Sequence, residues 1–195
     1  MLGARQLVKE TSSNHRMAAD FCRIFEKDMN RLYLLSFLLT ADHHMAEECF
    51  VRGLDDAINS NRVFKDWAHA WARRMIIQSA IHMIQPQAID EAAEPSVDAR
   101  IAEMTGVPAR IAAVVGLPAF DRFAFVMSVL ERYSDQECAV LLDHSRGEVA
   151  AARGRAMQHI AASVELQRQL SLASDERARR SVLGRGSALQ LAASA

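Results

Sequence analysis

Two four-residue segments eleven positions apart, Ser134-Asp135-Gln136-Glu137 and Ser145-Arg146-Gly147-Glu148, share the form Ser-x-x-Glu. In that pattern the serine side chain accepts the amide three residues on, and the glutamate reaches back to the serine amide, so each segment marks the first turn of a helix. Two helix starts this close leave room only for a short helix, anchored by Cys138, Leu141 and Leu142. A tight turn at Asp143-His144 then precedes a second helix from Arg146 to about Leu166. A further helix opens upstream at Leu117-Pro118, where proline suits the first helical position and Phe120, Phe123, Ala124, Met127 and Leu130 can face inward. The pattern predicts a helix-turn-helix whose second member would be the recognition helix.

The first half is helical for a different reason, its periodicity. Ala18, Phe21, Cys22, Phe25, Met29, Leu32, Ser36 and Leu39 recur at helical spacing up to Thr40-Ala41-Asp42, and Asp42 is placed to cap the next helix. That helix aligns Met45, Ala46, Cys49, Phe50, Gly53, Leu54, Ala57 and Ile58 on one stripe, with Glu47, Glu48, Arg52, Asp55 and Asp56 outward. A third helix, from about Val63 to Ile84, is apolar on most sides and must be largely enclosed. Gly and Pro number only 8 and 4 among 195 residues, too few turns for an all-β sandwich or barrel. All four prolines, with the acids Asp90, Glu91, Glu94 and Asp98, fall in or beside the stretch between the halves. The expected class is therefore all-α: a helical domain over 15–84, an acidic Pro-containing linker over 85–116, a helix-turn-helix domain over 117–166 and a flexible tail over 167–195.

Charge and cysteine usage narrow the function. The 23 Lys+Arg against 24 Asp+Glu leave a net charge of -1, so affinity for nucleic acid has to come from local basic surface. Cys22, Cys49 and Cys138 are odd in number, far apart and set in apolar stretches, which fits buried thiols in a reducing compartment. The N-terminal region has no apolar core of signal-peptide length, and Leu32 to Leu39 is far too short to span a bilayer; a cytoplasmic location off the membrane is expected. There is no Gly-rich phosphate loop, Gly-x-Ser-x-Gly or His-Glu-x-x-His. His43-His44 has no further ligand at metal spacing. Neither enzyme activity nor a metal or other cofactor is expected.

Taken together, these segments resemble a family. Leu39-Thr40-Ala41-Asp42 with Ala46-Glu47-Glu48 is similar to "L-T-G-D-x-x-x-A-E-D", and Phe64-Lys65-Asp66-Trp67 with Trp71-Ala72 to "F-x-x-W-L-x-x-I-A". Leu117-Pro118, Phe125, Ser134, Glu137, Ala139 and Leu142 follow "L-P-x-x-x-R-x-x-F-x-L" and "S-x-x-E-I-A-x-x-L". Ser145, Gly147, Val149, Arg155 and Ala156 follow "S-x-G-T-V-x-x-x-x-x-R-A". Over residues 20 to 165 the chain resembles a divergent member of the bacterial sigma-70 RNA polymerase sigma factors, of the small two-domain extracytoplasmic-function type.

The resemblance implies core RNA polymerase and promoter DNA as partners, with an anti-sigma factor as a further expected partner. Asp42, Glu47 and Glu48 would dock on polymerase, where complementary charge guides orientation. Trp67, Arg73 and Arg74 would contact the upstream promoter element and the opened strand, through stacking and phosphate contacts. Ser145, Arg146, Arg153 and Arg155 would contact DNA from the recognition helix. Trp67 and Trp71, one turn apart, are by default a packing pair with Trp71 interior, and the alternative for Glu47 and Glu48 is a solvated face near a helix start. Ala150-Ala151-Ala152 brings no donor to a base edge, which favours an alternative reading: a sigma-related interaction module that does not direct polymerase to promoters. A free-standing helix-turn-helix regulator is the third reading.

Overall fold

The computed structural model describes residues 26–59, 68–88 and 108–192, with 58, 59, 68, 109 and 175–192 described by backbone alone. The fold is all-α. Helix α1 covers 26–40, α2 His43–Asn59, α3 Ala68–Ile84, α4 Ala109–Val115 and α5 Ala119–Phe125. A π-helical turn, Val126–Leu130, continues α5; α6 (Asp135–Leu142) and α7 (Arg146–Ala192) follow. No strand occurs among the described residues, and none of their helices is long and apolar enough to cross a membrane.

In the first half the expected stripe on α2 is the buried one. Ala46, Cys49, Gly53 and Ala57 are buried, while Glu47, Arg52, Asp55 and Asp56 are exposed. Gly53 sets how closely α2 meets α3: a Cβ there would lie 2.8 Å from Ile76 Cγ1 and 3.2 Å from Ile76 Cα, so only glycine admits this approach. On α3, Ala72, Met75, Ile76, Ile77 and Ala80 are buried, as the near-continuous apolar sequence requires. Leu32, Ser36 and Leu39 are buried on α1, but Met29, expected on the same stripe, is 52% exposed. The buried cluster meets α1 only from Leu32 onward.

The second half packs α4, α5 and α6 against α7, burying Phe120, Phe123, Ala124 and Met127 with Val149 and Ala152. Leu130, expected inward, is 45% exposed. The π-helical turn is the reason: it advances less rotation per residue than an α-helix, so a position three residues beyond Met127 no longer shares its face. Pro118 takes the N-cap of α5, so the helix begins at Ala119, one position later than expected. Both capping boxes form. Glu137 N donates to Ser134 Oγ at 3.2 Å and Ser134 N to Glu137 Oε2 at 2.8 Å; the equivalent bonds at Ser145 and Glu148 are 3.2 and 2.8 Å.

Between α6 and α7 the chain turns through Asp143, which takes the left-handed conformation (φ 56) at the C-cap of α6. Helix α7 runs to Ala192, well past the expected end near Leu166. Part of the expected linker is also helical, since α4 lies within 85–116; residues 89–107 of that linker lie outside the described residues.

The halves share one buried cluster, with Leu39 and Ile76 from the first and Phe120 and Phe123 from the second. Among the described residues, polar contacts reinforce the seam and the start of the linker. Arg122 Nε donates to Leu39 O at 3.1 Å, Ala88 N donates to His144 Nε2 at 3.3 Å, and Arg73 Nε lies 3.5 Å from Glu131 Oε2. Because the Ala88 amide can only donate, Nε2 of His144 accepts, and Nδ1 carries the proton it gives to Leu142 O at 2.6 Å.

Candidate polymerase and nucleic-acid interface

The expected polymerase-facing residues sit at the start of α2. Asp42 Oδ1 accepts the Met45 amide at 2.7 Å, capping the helix as the sequence predicts. The residue before it, Ala41, is buried and left-handed (φ 57), so the α1–α2 corner uses a conformation that glycine adopts most easily. The position is also that of the glycine in the "L-T-G-D" pattern. Glu47 is exposed, and Glu48 pairs with Arg52 one turn on, at 2.7 Å. Beside them, His43 stacks on Phe37 with ring centroids 4.4 Å apart and meets Tyr33 Oη through Nδ1 at 3.0 Å.

Of the expected DNA contacts in the first half, Trp67 lies outside the described residues. Arg73 and Arg74 stand side by side on α3, facing the segment between the π-helical turn and α6. Tyr133 in that segment is half-buried, and burial pushes its phenol above the ordinary range.

The four expected contacts of the second half divide into two groups. Ser145 caps α7 and Arg146 follows it, exposed and, among the described residues, without a carboxylate partner. Arg153 and Arg155 instead hold ion pairs within the second half. Arg153 Nη1 pairs with Asp135 Oδ1 at the first turn of α6. Arg155 grips Asp121 with two bonds, Nε to Oδ2 at 3.0 Å and Nη2 to Oδ1 at 2.5 Å. Asp121 is buried, and its hydrogen bonds raise the Arg155 pKa further, keeping the guanidinium charged. The bidentate geometry makes Arg155 a clamp between α5 and α7. Val149, Ala152 and Ala156 face the core, leaving Arg146, Gly147 and Ala151 on the outer surface of the first turns of α7.

Sequence reasoning missed three residues that organise this region. Arg122 is buried and donates through Nη1 to Leu117 O at 2.8 Å as well as to Leu39 O through Nε. It stands at the arginine position of the "L-P-x-x-x-R" pattern, which could have singled it out. His144 braces the α6–α7 turn, with its ring 4.5 Å from that of Phe120. Asp121 has no local signal, since its partner lies 34 positions away. Cys49 and Cys138 are buried free thiols, and Cys22 lies outside the described residues. Among the described residues no group of His, Cys, Asp and Glu is placed to hold a metal ion. No protein family matches the chain, and no curated protein matches it.

Proposed function

We infer that the chain is a sigma-like transcription initiation factor, acting in the cytoplasm without catalysis of its own, that binds core RNA polymerase and directs it to promoter DNA. The observation that carries this reading is the ordered succession of α6, the left-handed corner at Asp143 and α7. There both serine caps form at the positions of the resembled motifs, and Arg146 stands on the exposed side of the first turn. The left-handed Ala41 at the motif's glycine position supports it from the other half. In this reading Asp42, Glu47 and Glu48 meet the polymerase, while Trp67, Arg73, Arg74, Ser145 and Arg146 meet DNA. Arg153 and Arg155 keep α7 in register against α5 and α6, and an anti-sigma factor is a further partner.

The two domains then serve as separate grips joined by the 85–116 linker. Since the halves share a buried cluster, reaching two promoter elements at once requires that seam to open. Reconstituted transcription tests the reading: core polymerase plus this protein should give specific transcripts from a subset of host genomic fragments. Polymerase binding without any new transcript would overturn it in favour of the interaction-module alternative. The self-paired Arg153 and Arg155 and the exposed Ala151 favour that alternative.

A further inference from the structure

His144 stands where three parts of the molecule meet: the corner between α6 and α7, the Phe120 ring of α5, and Ala88 at the start of the linker. Its main-chain amide returns to Ala139 O at 3.0 Å, which fixes the corner. The two ring nitrogens then reach in different directions. Nδ1 donates to Leu142 O at 2.6 Å within the second half, and Nε2 accepts the Ala88 amide at 3.3 Å from the chain that has just left α3. Because 56 positions separate His144 from Ala88, the second bond exists only while the halves lie together.

The two bonds answer a proton differently. A neutral imidazole donates from one nitrogen and accepts at the other, whereas a protonated one donates from both. The bond to Leu142 O survives protonation, since Nδ1 carries a hydrogen in either form. The bond from Ala88 does not: two N–H groups then face each other, and the peptide amide can only donate. Histidine is the side chain whose charge changes between about pH 5 and 8, so this exchange falls in the physiological range.

The surroundings favour the cation where it stands. Leu142 is the last residue of α6, where the carbonyls and the helix dipole attract positive charge. On the first turn of α7 the Glu148 carboxylate, which accepts Ser145 N at 2.8 Å, feels the charge of the ring. Asp143 in the corner and Arg146 on α7 are both exposed, and α5 presents the Phe120 ring, 4.5 Å away. The linker brings the Ala88 amide, next to Gln87, whose side chain donates to Gln85 O at 3.2 Å. The groups that suit a charged ring thus belong to the second half, and the group that must leave belongs to the linker.

We propose that His144 is a pH-sensitive latch: its neutral ring holds Ala88 against the α6–α7 corner, and protonation releases Ala88 and the start of the linker, lowering the cost of opening the seam. The bond is present above the range in which histidine titrates and is lost as pH falls through it. The bond from Arg122 to Leu39 O and the shared apolar cluster do not depend on that proton, so acid loosens the seam without unfolding either half. That a looser seam frees the halves to engage separate promoter elements rests on the proposed function; the latch itself does not.

Proton–nitrogen correlation spectra of the full chain, recorded from about pH 8 to about pH 5, follow the His144 ring and the Ala88 amide together. At the upper end the ring should carry its proton on Nδ1, and the Ala88 amide signal should move in step with the ring as pH falls. Over the same range the protection of the Ala88 amide from hydrogen exchange, corrected for the intrinsic rate, should drop about fivefold or more, while the Ile76 and Val149 amides keep theirs. In His144→Gln, whose side-chain oxygen accepts the amide but takes up no proton in this range, the protection should not change with pH. A neutral ring protonated on Nε2, an Ala88 signal that ignores the ring, or the same response in His144→Gln would each overturn the proposal. The spectra of the parent chain decide the first two points without any variant. No polymerase or DNA enters these measurements, so reconstituted transcription at constant pH reports separately on the proposed function.

Discussion

Arg122 Nε donates to the carbonyl oxygen of Leu39 at 3.1 Å, across 83 positions of chain. The acceptor is in the last turn of α1, and the same guanidinium reaches Leu117 O at 2.8 Å and Val115 O, at the end of α4, at 3.4 Å. A buried cation thus closes the C-terminal ends of two helices, where unsatisfied carbonyls and the helix dipole both favour positive charge. Arg122→Met preserves length but strands those carbonyls in the core. It should cost about 2–4 kcal/mol of unfolding free energy. Urea denaturation checks this; an unchanged midpoint would remove Arg122 from the seam.

Two glycines in helices should respond to alanine in opposite directions. At Gly154 a Cβ meets nothing within 4 Å, so Gly154→Ala should stabilise the chain by about 0.5–1 kcal/mol through backbone entropy alone. At Gly53 the new methyl would collide with Ile76 side chain and backbone, forcing α2 off α3, and a net loss of about 1–3 kcal/mol is expected. Paired thermal melts of the two variants provide the measurement.

The caps predict an acid-side dependence of stability. Hydrogen bonds from Ser134, chiefly its backbone amide, hold the Glu137 carboxyl below its ordinary value of 4.5, and the Ser145 hydroxyl and amide do the same for Glu148. Both folded values are depressed, so their contribution is fully present above 4.5, where folded and unfolded chains are alike ionised. It is lost as pH falls below 4.5 and through the folded values. Urea midpoints measured at neutral pH and at about pH 4 and below should show a decline that Glu137→Gln and Glu148→Gln each reduce. Ser134→Ala should cost about 1 kcal/mol at neutral pH.

Burial should protect the two core thiols. It raises the Cys49 thiol above its ordinary value and pushes Cys138 up to about 11, leaving little thiolate near neutrality. Iodoacetamide labelling read by mass spectrometry should leave both unmodified in the folded chain and modify both in denaturant. Rapid labelling of either under native conditions would contradict the packing around it.

Local signals were the legible part of this fold. The Ser134 and Ser145 boxes, the Asp42 cap and the α2 stripe each need only a few neighbouring residues to be recognised, and each forms. What eluded the sequence depends on distant partners or on backbone departures. The bonds of Arg155 to Asp121 on α5, 34 positions back, leave no local signal around either residue. Leu130 read as inward because an α-helical register was assumed through Val126–Leu130, where the turn is π-helical. The bond from Arg122 to Leu39 O required the halves to be brought together, and no spacing within either half encodes that.

The central claim, that this chain docks on core RNA polymerase through Asp42, Glu47 and Glu48 around the N-terminal half of α2, is tested most directly by measuring its affinity for purified core polymerase beside that of the Glu47→Lys, Glu48→Lys double variant. The account predicts saturable binding by the parent chain and its abolition by the two charge reversals, with the fold retained. No binding by the parent, or equal binding by both, would contradict it.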